Sequence, residues 1–259
     1  MLHVLTPAVA WISYWLRRTG VFDLLLIVLA FFSYSAVREM AGGDSGNAFA
    51  HAFDVVQLEQ TLGIFQEPRL QDWVLPSETL IRFFNFVYTY GHFPLIGVVA
   101  VWLFIFQRER YLLFRNAFFV SGAIGLILFN IFPMAPPRLM PFPYGMVDTL
   151  SLFQKVNYHS AGAFVNPYAA MPSMHVGFNL LLCLAVASAC SGMRPPWRVL
   201  GLAASIVMPI VMATSVVVTG NHYILDIVAG YVVAAVGMGI AVAVREHGWR
   251  VRHRLPASA

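Results

Sequence analysis

Charged side chains are scarce in this sequence, and their scarcity excludes an ordinary soluble protein. Asp, Glu, Lys and Arg make up 11% of the 259 residues, whereas soluble domains average about 25%. Hydrophobic residues make up 59%, and several apolar runs reach the roughly 20 residues that a helix needs to cross a bilayer. We therefore predict an all-α, polytopic membrane protein that forms a single membrane domain over residues 1–259.

Cysteine is scarce as well. The two cysteines, Cys183 and Cys190, fall in one predicted helix, and a rise of about 1.5 Å per residue keeps them too far apart for a disulfide. We interpret both as packing residues. The sequence also lacks clusters of Cys and His, or of carboxylates, at metal-ligand spacing. We therefore expect neither a metal nor another cofactor.

Six apolar runs predict six transmembrane helices. The second is long enough to tilt or to project beyond the bilayer. A short amphipathic stretch, Val9–Leu16, precedes the first run and is predicted to lie in the membrane interface. The six predicted spans are Val21–Val37, Thr79–Phe106, Phe114–Phe132, Met174–Cys190, Val199–Val218 and Ile224–Val244.

The arginines predict the orientation of these spans. Eleven of the 16 basic residues fall on one side, which the positive-inside rule assigns to the cytoplasm together with both termini. The loops at 38–78 and 133–173 and the turn at 219–223 then face outward. The net charge of +4 therefore reflects topology and affinity for anionic lipid headgroups, and no nucleic-acid partner is expected. The eleven residues are Arg17, Arg18, Arg108, Arg110, Arg115, Arg194, Arg198, Arg245, Arg250, Arg252 and Arg254.

Both long outward loops have a predicted structure. Apolar residues recur in the first loop between Phe53 and Phe65, a pattern typical of amphipathic helix lying on the membrane. The second loop begins with Pro133–Pro141, where four prolines in nine residues predict a rigid, extended segment. Arg138 is the one charged residue in that segment.

Two short strings place ionisable side chains where apolar spans begin. One is Pro172-Ser173-Met174-His175, and the other runs from His222 to Asp226. Ionisable groups at the mouth of a span are costly and indicate function by default. Four-residue spacing puts His222 and Asp226 on one face of a helix, and a carboxylate beside an imidazole suits a nucleophile or a general base.

Arg138 and the start of the fourth span complete a predicted anion site. Ser173 is a predicted N-cap and His175 lies in the first helical turn, where free N–H groups attract anions. The predicted topology brings Arg138 to the same outer surface. A phosphate group could therefore meet an arginine, a helix N-terminus and two histidines.

Each of these residues also has an ordinary structural interpretation. A histidine near a helix start is often solvated or packed, a serine before a helix is often only a cap, and His and Asp four apart form a common helix pair. These ordinary interpretations are less convincing for the whole set than for any single residue, because all the groups lie at the outer ends of apolar spans in a chain with few other polar residues. His51 and His159, in the outward loops, are interpreted as loop residues.

The ordered set resembles the type-2 phosphatidic acid phosphatase superfamily. Pro172-Ser173-Met174-His175 resembles its second motif, Pro-Ser-x-His. The string Ser215–Asp226 is similar to its third motif, in which a Ser-Arg pair precedes the His and the Asp. Pro-Pro-Arg138-Leu-Met-Pro resembles the arginine-containing part of its first motif.

Further residues resemble the inositolphosphotransferase branch of that superfamily, which includes inositol phosphorylceramide synthase. They are the string Gly220-Asn221-His222-Tyr223, the proline-rich run around Arg138, and the pair Tyr88 and His92 on the second span. Two positions depart from the superfamily pattern. The arginine of the third motif falls at Val216, and the lysine of the first falls at Ile131.

The resemblance implies a metal-independent enzyme that forms a phosphohistidine. His222 would attack phosphorus, Asp226 would orient His222, and His175 would protonate the leaving group and then activate the acceptor. Arg138, Ser173 and the helix N-terminus would hold the phosphate oxygens.

The resemblance also makes His92 and Tyr88 candidates for binding the headgroup or acceptor. Their alternative interpretation is aromatic packing at the membrane interface.

Three functions are compatible with this sequence. The first is transfer of inositol phosphate from a phospholipid to a lipid or alcohol acceptor, on the extracytoplasmic face of a bacterial-type plasma membrane. The second is a lipid-phosphate phosphatase, in which water is the acceptor. The third is a transporter or scaffold, which the clustering of ionisable residues at span ends disfavours, since transporters place them at mid-membrane. The sequence does not indicate the oligomeric state.

Overall fold

The computed structural model describes residues 20–40, 45–154 and 167–254, and its regular structure there is helical, without a β-strand. Four helices, which start at Val21, Glu78, Met174 and Ile224, begin within one residue of a predicted apolar run, since a lipid-facing segment must satisfy its own backbone hydrogen bonds. A single 3-10 turn, Pro137–Leu139, interrupts the proline-rich loop. In chain order the helices are α1 Val21–Met40, α2 Ser45–Thr61, α3 Glu67–Val74, α4 Glu78–Tyr90, α5 Phe93–Phe106, α6 Arg108–Ile131, α7 Thr149–Gln154, α8 Met174–Cys190, α9 Pro195–Val218 and α10 Ile224–Arg254.

An all-helical fold with apolar spans is confirmed for this part of the chain. Three helices, α6, α9 and α10, are long and apolar enough to cross a membrane, and a fourth span results if α4 and α5 are taken together. α8 is apolar but has 17 residues, and α1 has a shorter apolar stretch. Six spans with both termini in the cytoplasm therefore stay a prediction. The predicted interfacial stretch Val9–Leu16 lies outside the described residues.

The predicted second span is not one helix. It is divided into α4 and α5, which meet at an angle of 48°. α4 ends at Gly91, whose N–H donates to the Val87 carbonyl, and α5 starts after His92 with Pro94 in its first turn. Proline lacks the N–H that would continue the helical ladder, so the break occurs here. As a result, His92 lies at a bend.

Other helix ends differ from the predicted ones because polar residues also join the helices. α6 starts at Arg108, so Arg108 and Arg110 are helical where a loop was predicted. Both Arg108 and Arg115 pair with the buried Asp23 of α1. The basic segment after the last predicted span is also helical, up to Arg254.

Glycine permits a close approach between α8 and α10. A Cβ atom on Gly230 would stand 2.3 Å from the Ser173 carbonyl oxygen, and one on Gly177 would stand 2.7 Å from the Gly230 carbonyl oxygen. Only glycine fits where two backbones meet this closely. α10 also packs against α6, and α8 against α9. These contacts bring the first turn of α8 beside the first turn of α10.

The first long loop, over its described residues 45–78, forms a helical cover over this end of the bundle. The prediction of helix is confirmed by α2 and α3. One face of α2, with Ala48, Ala52 and Val56, packs against the buried Met134 and Tyr223. The α2 helix is therefore in contact with the proline-rich loop and the start of α10, and does not lie on lipid alone.

Candidate active site

A tight turn between α9 and α10 receives Arg138. Gly220 has a positive φ of 75°, which glycine adopts without strain, and its carbonyl accepts a 2.9 Å hydrogen bond from the Arg138 N–H. The Arg138 guanidinium hydrogen bonds to the Asn221 side-chain oxygen and lies 3.8 Å from an Asp148 carboxylate oxygen. These contacts fix the arginine next to His222.

His222 contacts Asp226, but the two residues do not share a helical face as predicted. α10 starts at Ile224, so His222 belongs to the turn and Asp226 to the first turn of the helix. The Asp226 carboxylate accepts a 2.9 Å hydrogen bond from the Tyr223 N–H and lies 3.2 Å from His222 Nδ1. The same carboxylate therefore caps the start of the helix and contacts the imidazole ring.

A second acceptor defines which ring nitrogen of His222 is available. Nδ1 lies 2.8 Å from the Ala170 carbonyl oxygen, closer than to Asp226. A backbone carbonyl can only accept, so Nδ1 carries the proton and Nε2 keeps its lone pair. His222 is 5% exposed. Burial, together with the positive charge of Arg138, lowers the pKa of His222 to about 3, so the ring is neutral around pH 7.

Ser173 occupies the predicted N-cap position of α8 but does not cap the helix with its side chain. Its N–H donates to the Asp226 carbonyl at 3.0 Å, a bond that joins the starts of α8 and α10. The Ser173 hydroxyl is buried without a hydrogen-bond partner. It is therefore a polar group beside His175 that the fold leaves available.

His175 stands between His222 and the bend of the second span. Its ring centre is 6.2 Å from that of His222, 5.1 Å from that of His92 and 4.4 Å from that of Tyr88, on which it stacks. The structure thus brings together all the site residues named from the sequence. His92 is 1% exposed, and its Nδ1 has no hydrogen-bond partner.

Two buried glutamates near the site were not anticipated. The fully buried Glu59 of α2 and Glu67 of α3 accept hydrogen bonds from the Leu225 and Ile224 N–H groups, at 2.7 and 2.8 Å. They satisfy N–H groups that a helix start leaves without partners. Burial, and then the neighbouring Glu67, raise the pKa of Glu59 to about 9. Glu59 is therefore protonated at neutral pH and can donate to Glu67.

Other polar side chains lock the cover in place. Gln71 of α3 is buried and bonds the Val147 and Val218 carbonyls, each at 2.9 Å. His51, predicted to be a loop residue, lies in α2, where its Nδ1 is 2.8 Å from the Pro133 carbonyl and its ring stacks on Phe132. His159 lies outside the described residues. Among the residues the structure describes, no group of three His, Cys, Asp or Glu side chains is arranged to hold a metal ion.

The two departures from the superfamily pattern are structurally distinct. Val216 is completely buried, and its carbonyl accepts the N–H groups of Asn221 and His222 at 3.1 Å. Ile131 is 68% exposed at the end of α6. Neither position contributes positive charge, so Arg138 has no support from these two sites.

Comparisons with known proteins agree with this architecture. The PAP2 superfamily profile matches residues 53–240, a range that includes His92, Arg138, His175 and His222. The crystal structure of LpxE from Aquifex aeolicus superposes with a TM-score of 0.50 at 15% identity, covering 68% of this chain and 93% of that chain. At this identity the likeness shows a common fold. No curated protein matches the sequence. The family profile covers well over half of the chain, and the protein therefore belongs to the PAP2 superfamily.

Proposed function

We propose that the chain is a membrane-embedded phosphotransferase that acts on lipid phosphoesters through a phosphohistidine at His222. The observation that carries the proposal is the 6.2 Å separation of the His175 and His222 ring centres, with Arg138 beside them. This spacing leaves room for one phosphoryl group between a nucleophile and an acid. Membership of the PAP2 superfamily supports a lipid phosphoester as the substrate.

The contacts of each residue support its proposed role. His222 Nε2 attacks phosphorus, while the bonds from Nδ1 to Ala170 and Asp226 hold the ring and stabilise the charge it develops. As the bond from phosphorus to the leaving oxygen breaks, His175 gives that oxygen its proton. His175 then takes the proton of an acceptor hydroxyl, whose oxygen attacks phosphorus and releases His222.

Fixed polar groups support the phosphoryl oxygens in this proposal. The Arg138 guanidinium supplies positive charge, and the unpartnered Ser173 hydroxyl and the free N–H groups at the start of α8 supply donors. Neutral imidazole is required for attack, and the lowered pKa of His222 provides it throughout the physiological range. This set of donors needs no metal ion.

The charge of the site favours a phosphodiester donor, and hence transfer of a headgroup phosphate such as inositol phosphate. A phosphodiester carries one negative charge, whereas a phosphomonoester carries about −1.5 to −2 at pH 7. The superfamily positions for two more basic residues hold Val216 and Ile131, and the carboxylate of Asp148 lies near Arg138. His92 and Tyr88, beside His175, are placed to bind the headgroup or the acceptor.

The second candidate is a lipid-phosphate phosphatase, in which water replaces the acceptor hydroxyl. It uses the same residues, and the partly exposed position of His175 would admit water.

Lipid analysis distinguishes the candidates. Purified protein in detergent is incubated with phosphatidylinositol and, separately, phosphatidic acid, each with and without ceramide or diacylglycerol. The proposal expects an inositol-phosphate product that depends on the acceptor lipid and persists in EDTA. Free phosphate from phosphatidic acid would favour the phosphatase. Activity lost in EDTA and restored by Mg²⁺ would contradict metal independence.

The covalent step has its own test. A labelled, acid-labile phosphoenzyme should be trapped in the wild type and be absent in His222→Ala. If His222→Ala still forms it, another nucleophile operates.

A further inference from the structure

An apolar groove of about 440 Å³ lies beneath the candidate site, where the second predicted span bends. Its walls come from the end of α4, the start of α5, α8 and α9, with Leu95, Val211 and Met212 among the lining side chains. Two lining residues, Tyr90 and Val98, are 56% and 66% exposed. They belong to a helix pair that is apolar enough to cross the membrane, so the groove opens toward lipid.

Among the described residues that line the groove, Asn179 of α8 is the one that carries a side-chain amide. Asn179 is fully buried. Its Oδ1 has a 3.6 Å contact from the Cys183 thiol, but its Nδ2 has no hydrogen-bond partner. A buried amide without a partner is costly in any protein, and more so where no water can reach it. A ligand that accepts a hydrogen bond from Nδ2 would explain why this amide is buried without a partner in the protein.

Asn179 follows His175 by one helical turn. The two side chains therefore share a face of α8 and lie about 6 Å apart along the axis, with Asn179 deeper in the membrane. Tyr88, which stacks on His175, follows Val87 of the groove wall. A lipid whose phosphorus lies at His175 would therefore pass its first chain atoms by Asn179.

We infer that this groove holds an acyl chain of the lipid substrate and that Asn179 binds the carbonyl oxygen of that chain. The inference rests on the proposed lipid phosphoester activity. An acyl ester places a strong acceptor a few bonds from the phosphate, which matches the single turn between His175 and Asn179. An alkyl ether of the same length fills the groove but lacks the carbonyl acceptor. Asn179 is thus a specificity-determining residue for acyl-linked lipids.

The test compares two lipids in the full-length protein. Phosphatidylinositol with ester-linked oleoyl chains and its analogue with ether-linked chains are titrated into detergent-solubilised protein, and binding is measured by the shift in Tm. The wild type should bind the ester lipid about three- to tenfold more tightly, the range for one neutral hydrogen bond. Binding is read without turnover, so failure of the proposed reaction is distinguishable from failure of this inference.

Two variants complete the experiment. Asn179→Leu should bind both lipids equally and, without ligand, should unfold at a Tm no lower than that of the wild type, because it removes an unsatisfied amide. Met208→Leu, a volume-conserving change in the same groove, should keep the ester preference. The inference is overturned if the wild type shows no preference, if Asn179→Leu retains it, or if Asn179→Leu lowers the ligand-free Tm more than Met208→Leu does.

Discussion

At the scale of single residues, the two histidines of the site have different surroundings. Their substitution should therefore reduce turnover in different ways. His222 is buried and held by Ala170 and Asp226, as suits a nucleophile. His175 is partly exposed between two aromatic neighbours, as suits a group that exchanges protons with a leaving group and an acceptor.

This difference predicts an order of activities that depends on the leaving group. His222→Ala should abolish turnover of every substrate. His175→Ala should lose about 10²–10⁴-fold on a natural lipid but much less on a p-nitrophenyl phosphodiester, whose leaving group needs little protonation. Asp226→Asn should fall between the two, because the ring keeps its Ala170 contact but loses charge support. Equal losses for His175→Ala on both substrates would contradict the acid role.

The sequence identifies these residues, but it does not reveal the contacts that orient them. His175, His222, Asp226 and Arg138 stand out because ionisable groups are rare at the ends of apolar spans. Glu59 gives no such signal, since a glutamate in an amphipathic segment is expected to face water. Its burial depends on a helix start that is 166 residues away in sequence.

At the scale of the helices, the glycine contact between α8 and α10 determines how closely the two histidines approach. Gly230→Ala would place a Cβ against the Ser173 carbonyl. Such overpacking typically costs about 1–3 kcal/mol, and a displacement near 1 Å can lower turnover by about 10²-fold. Tm and turnover of the purified variant measure the two effects.

A matched control, Gly239, lies about two and a half turns further along the same helix. A Cβ on Gly239 would meet nothing within 4 Å, and alanine is a better helix former than glycine by about 1 kcal/mol. Gly239→Ala should therefore leave turnover unchanged and keep or raise the Tm. If both variants behave alike, helix propensity decides the outcome and the close contact does not.

The glutamate pair at the start of α10 predicts how stability depends on pH. The pKa of Glu59 is about 9 in the folded protein and 4.5 ordinarily, so the folded state binds the extra proton across this interval. Stability contributed by Glu59 is present below about pH 4.5 and is lost as pH rises toward 9.

Glu59→Gln should remove this dependence, because a neutral amide can accept from Leu225 and donate to Glu67 at any pH. The variant should match the wild type near pH 5 and exceed its Tm near pH 9. Glu78→Gln, a change at an exposed residue paired with Arg82, is the control and should preserve the wild-type slope. An unchanged slope in Glu59→Gln would show that Glu59 does not carry the proton.

At the scale of the whole molecule, apolar run length predicts where helices lie, but it does not predict their bends or their cover. α8 begins and ends at the predicted residues, since an apolar run that follows Pro172 defines it locally. The break at His92 comes from Gly91 and Pro94 inside one long apolar run, and the packing of α2 over the α10 start depends on residues far apart in the chain. The same contacts place Arg138 and both histidines at one end of the bundle.

Placement of that end outside the cytoplasm rests on the arginines, and cysteine labelling can test it. In a background of Cys183→Ala and Cys190→Ala, Asp72→Cys marks α3 in the cover, and Arg194→Cys marks the loop between α8 and α9. Both positions are exposed.

A membrane-impermeant maleimide applied to intact cells should label the variant at position 72 at once. It should label the variant at position 194 only after the membrane is permeabilised. The opposite pattern would place the site in the cytoplasm, and labelling of both in intact cells would show that the two positions share one side. Because the cover and the site belong to one packed end, the result also fixes the leaflet from which the enzyme draws its lipid.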